Sequence, residues 1–217
     1  MAFPGIEELL NQGRFGAAEE LILAFSADCE GDDTLLLAGH LADLAGEYSR
    51  LGRAEDAARA RDILLDLEGE GLELHQARAG VSLMNAWIDQ GDSGEAMEVF
   101  RGMPGDPMGA SPHPDRELER LVMVAYVNLL SALADARDLG RAESLFGSMR
   151  ARGASPENSD LLALAALNAV ILLVHADRKA EAQALALEME GYGDGEETRR
   201  YCASARKIVS GMGGEGA

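Results

Sequence analysis

Gln90-Gly-Asp-Ser-Gly-Glu-Ala96 decides how this chain folds, because it aligns without gaps with Gln12-Gly-Arg-Phe-Gly-Ala-Ala18 and Ala136-Arg-Asp-Leu-Gly-Arg-Ala142. Two looser copies are Leu51-Gly-Arg-Ala-Glu-Asp-Ala57 and Ala176-Asp-Arg-Lys-Ala-Glu-Ala182. Apolar residues at helical spacing follow the closing alanine: Ile22 and Phe25 after Ala18, Phe100 and Met103 after Ala96, Phe146 and Met149 after Ala142. The alanines at 18, 57, 96, 142 and 182 stand 39, 39, 46 and 40 residues apart. Repetition at such a period is the sequence signature of a stacked array.

The unit reads as a helix, a tight turn and a second helix. Glycine at the turn permits a left-handed cap that a Cβ would penalise. The alanine is small because the two helices approach closely there, and the large residues at +4 and +7 fill the space toward the next hairpin. One hairpin cannot bury both of its faces, so several stack. The pattern predicts helices over about 5–11 and 14–27, 32–50 and 54–67, 72–89 and 93–103, 115–136 and 139–152, and 157–175 and 179–190. Asp32, Asp33 and Thr34 offer an N-cap for the third helix. A breaker-rich stretch, Pro104 to Pro114, absorbs the long 46-residue interval and reads as a hinge-like break. A last helix over about 196–212 places Tyr201, Cys202, Ala205, Ile208, Val209 and Met212 on one stripe, backed by Arg199, Arg200, Arg206 and Lys207. A terminal cap needs that division. The expected fold is all-α: a right-handed α-solenoid of about five antiparallel hairpins plus a C-terminal capping helix. It forms one domain over 1–212, with subdivision at 104–114 as a variant, and residues 213–217 form a disordered tail.

Composition agrees. Of 217 residues 47% are hydrophobic but only 5% aromatic, and the apolar excess is mostly Ala and Leu, which favour helix because neither is β-branched. The net charge is -19, with two lysines, Lys179 and Lys207. It is uneven: residues 1–110 hold 22 acids and 7 bases, and residues 111–217 hold 16 acids and 12 bases. A field of that sign opposes nucleic acid and favours a basic partner on the N-terminal half. Cys29 and Cys202 are isolated, so neither a zinc site nor a disulfide framework is expected. The opening residues show no basic or apolar leader pattern. The apolar run Leu161–Val174 is shorter than the roughly 18 residues a membrane span requires. A cytoplasmic protein without membrane contact is the expectation.

These residues resemble the tetratricopeptide repeat family, whose pattern has a small residue and an aromatic on the first helix, Gly at the turn and Ala on the second. The second repeat matches best with Leu44, Ala45, Tyr48, Gly52 and Ala57; the third keeps Leu83, Trp87, Gly91 and Ala96 but has Met84 where the family prefers a small residue. The period exceeds the family's, and the fourth and fifth first helices are degenerate. Gly140-Arg-Ala-Glu-Ser-Leu-Phe-Gly-Ser-Met149, with Gly153-Ala-Ser-Pro156, also resembles the second half of a pentatricopeptide repeat, a family that reads single-stranded RNA. Repeat length and the acidic charge count against that reading here.

The tetratricopeptide resemblance implies a peptide-binding groove lined by first helices. Aligned on the alanines, Asn85, Asn128 and Asn168 fall on such helices, and Asn128 and Asn168 occupy equivalent positions of consecutive repeats. An asparagine amide both donates and accepts, so it can bind a ligand's backbone; it can equally satisfy a helix carbonyl or a buried polar group. The family's carboxylate clamp needs cations where Val81 and Leu164 stand, which argues against a chaperone-tail adaptor. His40, His75, His113 and His175 are scattered, and the acid run Asp28–Asp33 lacks the closing Glu of a calcium loop. No hydrolase, metalloprotease, P-loop or dinucleotide fingerprint is present. The reading is therefore a non-enzymatic scaffold or adaptor without cofactor or metal that holds a partner protein or peptide, a basic one being favoured by the charge. Single-stranded RNA binding is one alternative. Self-association, a homodimer through the N-terminal hairpin included, is another.

Overall fold

The computed structural model describes residues 3, 5–26, 29, 31–153, 155 and 157–211, all helical or connecting, with no strand among them. The expected tail over 213–217 and Met212 lie outside the described residues. The chain divides into two compact units, Met1–Pro107 and Met108–Ala217. The first holds α1 (Ile6–Asn11), α2 (Phe15–Ser26), α3 (Asp32–Arg50), α4 (Ala54–Leu65), α5 (Glu73–Asp89) and α6 (Ser93–Arg101). The second holds α7 (Arg116–Asp135), α8 (Leu139–Arg152), α9 (Ser159–His175), α10 (Lys179–Glu188), a 3-10 turn Met189–Gly191, and α11 (Glu196–Gly211).

Odd-numbered helices are first helices and even-numbered ones their partners. Within the first unit α3 packs on α4 and α5, and α5 on α4 and α6; within the second α7 packs on α8 and α9, and α9 on α8, α10 and α11. Within each unit a hairpin thus packs on itself and on the first helix that follows it in that unit, as a helical repeat requires.

The turns repeat atom for atom. The left-handed residue is Gly13, Gly52, Gly91, Arg137 or Asp177, with φ of 69, 70, 80, 58 and 58°, always five positions before the alanine. The next residue's N–H bonds the carbonyl five back: Arg14 to Leu9, Arg53 to Tyr48, Asp92 to Trp87, Asp138 to Leu133 and Arg178 to Leu173, all at 2.9 Å. This is the 6→1 bond of a Schellman closure. The alanines are buried in every hairpin, Ala18, Ala57, Ala96 and Ala182 completely. In the last two hairpins the left-handed position carries a Cβ, which such a backbone disfavours.

The N-cap expected at Asp32–Thr34 is displaced. Gly31, at φ 60°, stands in the cap position, Asp32 and Asp33 enter the first turn of α3, and Thr34 is buried with no hydrogen bond to its Oγ1. Side-chain caps occur elsewhere: Asp92 Oδ1 accepts from Gly94 N at 3.1 Å and Glu95 N at 3.0 Å, Asp138 Oδ1 from Arg141 N at 3.2 Å, and Asp115 Oδ1 from Leu118 N at 2.9 Å.

The second-unit part of the breaker-rich segment is tied down. Arg152, whose side chain is fully buried, donates from Nε to Glu119 Oε1 at 3.1 Å, from Nη2 to Oε2 at 2.5 Å, and from Nη1 to the Gly109 carbonyl at 3.0 Å. Glu119 Oε2 also accepts from His113 N at 2.8 Å. A buried guanidinium needs such company, since an unpaired charge away from water is costly.

Candidate functional site

Counting fourteen positions back from the last four alanines gives one point on each of four first helices: Asp43 on α3, Ser82 on α5, Asn128 on α7 and Asn168 on α9. All four stand at least partly open to solvent. Asn128 and Asn168, which that count makes equivalent, are both half-buried. Asn85 is also half-buried, but it lies three positions further along α5, past Ser82.

In the second unit the surrounding surface repeats every 40 residues through α7, α9 and α11. Leu121, Leu161 and Tyr201 form one row, Val124, Leu164 and Ser204 the next, and Asn128, Asn168 and Ile208 the third. All nine are half-buried. The apolar rows explain why α9 shows apolar residues on every side, since its core face and its open face are both Leu- and Ala-rich. A half-exposed apolar surface with an amide at matching points can take an extended segment by side-chain burial and backbone hydrogen bonding.

The first unit's equivalent surface is polar. Glu7, Leu10 and Asn11 of α1, His40, Asp43 and Glu47 of α3, and Arg78 and Ser82 of α5 line a groove of about 650 Å³ floored by Ala42 and Gly46. Arg78 reaches Asp43 at 3.2 Å, an exposed pair of small energetic weight. A reading that follows asparagine alone misses Asp43 and Ser82 as groove residues, although the alanine register places them at the same point. His75 carries a buried Nδ1 with no hydrogen bond; burial, then the Arg78 charge, pushes its pKa down against the pull of Asp43.

A second groove, of about 350 Å³, lies on the partner-helix side of the second unit. Leu139 and Phe146 of α8 join Leu172 of α9 and Leu185 of α10 in its lining. Arg178 links Glu143 to Glu181 along its rim, and Arg150 pairs with Glu188 at 2.9 Å. Of the other histidines, His113 accepts from Asp115 N at its Nδ1, at 3.1 Å, and His175 is exposed at the end of α9. Among the described residues no three His, Cys, Asp or Glu side chains are grouped to hold a metal ion, and no helix is long and apolar enough to cross a membrane.

Comparison with known families adds one finding. The family model of the PPR (pentatricopeptide) repeat matches residues 81–107 and 124–153. The first match covers the latter part of α5 and α6; the second runs from Val124 through α8 and includes the Gly140–Met149 segment, which carries the resemblance in the sequence. Together they cover well under half of the chain. No curated protein and no solved structure matches it. The helical-repeat reading thus gains support at the level of the repeat, from the pentatricopeptide pattern rather than the tetratricopeptide one.

Proposed function

We propose that this chain is a non-enzymatic scaffold whose first-helix faces hold a partner protein or peptide. The carrying observation is the half-buried apolar face of α7, α9 and α11, with Asn128 and Asn168 at one point of consecutive repeats. An extended segment would place apolar side chains against Leu121, Val124, Leu161 and Leu164 while the two amides bond its backbone. The polar groove of the first unit would favour basic residues in the same or another partner.

A second reading, single-stranded RNA, is favoured by the PPR matches and opposed by the net charge of -19. Affinity recovery of the full chain, with mass spectrometry before and after nuclease, separates the two. The expected result is a protein that survives nuclease and is lost with Asn128→Ala plus Asn168→Ala. A partner indifferent to both substitutions moves the site off this face. Co-purification abolished by nuclease, with a steep salt dependence, replaces the protein partner by RNA.

A further inference from the structure

Two exposed surfaces of this chain carry opposite charge. On α11, Arg199, Arg206 and Lys207 stand at i, i+7 and i+8, all exposed, with exposed Ala203 and Ser210 on the same face. This face is opposite the row residues Tyr201, Ser204 and Ile208. The corresponding side of α9, with Ala163, Ala166 and Val170, is buried. Arg199 and Lys207 form no ion pair among the described residues, and Arg206 has one, with exposed Glu190 at 3.2 Å. Glu196 is the single acid on the face.

The opposite charge lies on the first unit, where α4 runs into α5. Asp62, Asp66, Glu68, Glu70 and Glu73 are all exposed, and none is ion-paired among the described residues. The connection packs against the start of α3, with Gly69 near Thr34 and Gly71 near Leu35, so exposed Asp32 belongs to the same edge. Leu36 and Leu65, 51% and 40% exposed, flank it. No lysine or arginine occurs between Asp62 and Ala77.

We propose that the basic face of α11 docks on this acidic edge of a second copy of the chain, head to tail. Charge complementarity selects that register, and the acidic excess elsewhere penalises like-to-like contacts. The contact is heterologous, so a pair of copies still offers one free edge and one free α11, and association continues into a ring or an open chain. It leaves the asparagine face uncovered and does not depend on what that face holds.

The test is sedimentation velocity of the full chain and two charge-reversed forms, Arg199→Glu/Arg206→Glu/Lys207→Glu and Asp66→Lys/Glu68→Lys/Glu70→Lys. The native chain should grow in mass with concentration at about 50 mM salt and return to monomer at about 500 mM salt, where charges are screened. Each reversed form alone should associate at least about tenfold more weakly, and an equimolar mixture of the two should associate again. Circular dichroism checks that helix content is kept; a form that loses it is replaced by Arg199→Gln/Lys207→Gln, expected to weaken association part-way. A native chain monomeric throughout, a reversed form that associates like the native one, or a mixture that stays monomeric overturns the proposal. So does an α11 reversal that spares association and abolishes binding of single-stranded RNA.

Discussion

The two units make the same hairpin from different residues. In the first, the left-handed turn position is glycine three times, and the first-helix surface is a polar groove with Asp43 and Ser82. In the second, Arg137 and Asp177 hold the left-handed position, and the equivalent surface is apolar around Asn128 and Asn168. The 6→1 hydrogen bond is 2.9 Å in both. Hairpin geometry is therefore set by the helix pair and its buried alanine, and the turn residue adjusts how comfortably it is met. Surface chemistry varies independently of that geometry, so one repeat design presents two chemically different surfaces.

The largest expected break in the comparison is at Arg152, a buried paired guanidinium without a counterpart among the described residues of the first unit. Arg152→Ala strands the Glu119 carboxylate in a buried site and should destabilise the second unit by about 3–5 kcal/mol. Urea unfolding followed by circular dichroism measures it, and the fluorescence of Trp87, the single tryptophan, reports whether the first unit keeps its midpoint. Enlarging the shared alanine should act on both units alike: Ala57→Leu or Ala142→Leu overpacks the hairpin and should cost about 1–3 kcal/mol each.

Turn substitutions should move in opposite directions. Gly91→Ala should lose about 1 kcal/mol from backbone strain alone, since an added Cβ would meet nothing within 4 Å. Arg137→Gly should gain a few tenths up to about 1 kcal/mol. Equal signs in thermal melts would refute the idea that the second unit carries strain at its turns.

A further effect is confined to alkaline pH. Burial, then the hydrogen bond to Glu19 at 2.8 Å, pushes the Tyr48 hydroxyl up to about 12. The folded chain holds this proton more tightly than the unfolded one, so the stabilisation is intact below about pH 10 and is lost as pH rises from there toward about 12. Near pH ~11 the loss should be about 1 kcal/mol, and Tyr48→Phe should flatten that limb of a stability profile.

The repeat was legible because its signals are local: a five-residue distance from turn to alanine and apolar residues at +4 and +7. The left-handed cap was expected of glycine, yet in the last two hairpins Arg137 and Asp177 take it, at the same distance from the alanine. Arg152 and Glu119 were not legible, because 33 residues separate them and a helix-terminal arginine ordinarily faces water. Gly31 displaced the expected cap because its positive φ suits a residue without Cβ. At the candidate site the register was readable, but residue type hid Asp43 and Ser82, which share the position of the asparagines without sharing their chemistry.

The five-position step from left-handed turn to buried alanine acts as a fixed gauge. Every change in repeat length, the seven extra residues before Ala142 included, is accommodated outside it. The hairpin is thus the indivisible part of this molecule, and the connections between hairpins are where its length can be rewritten.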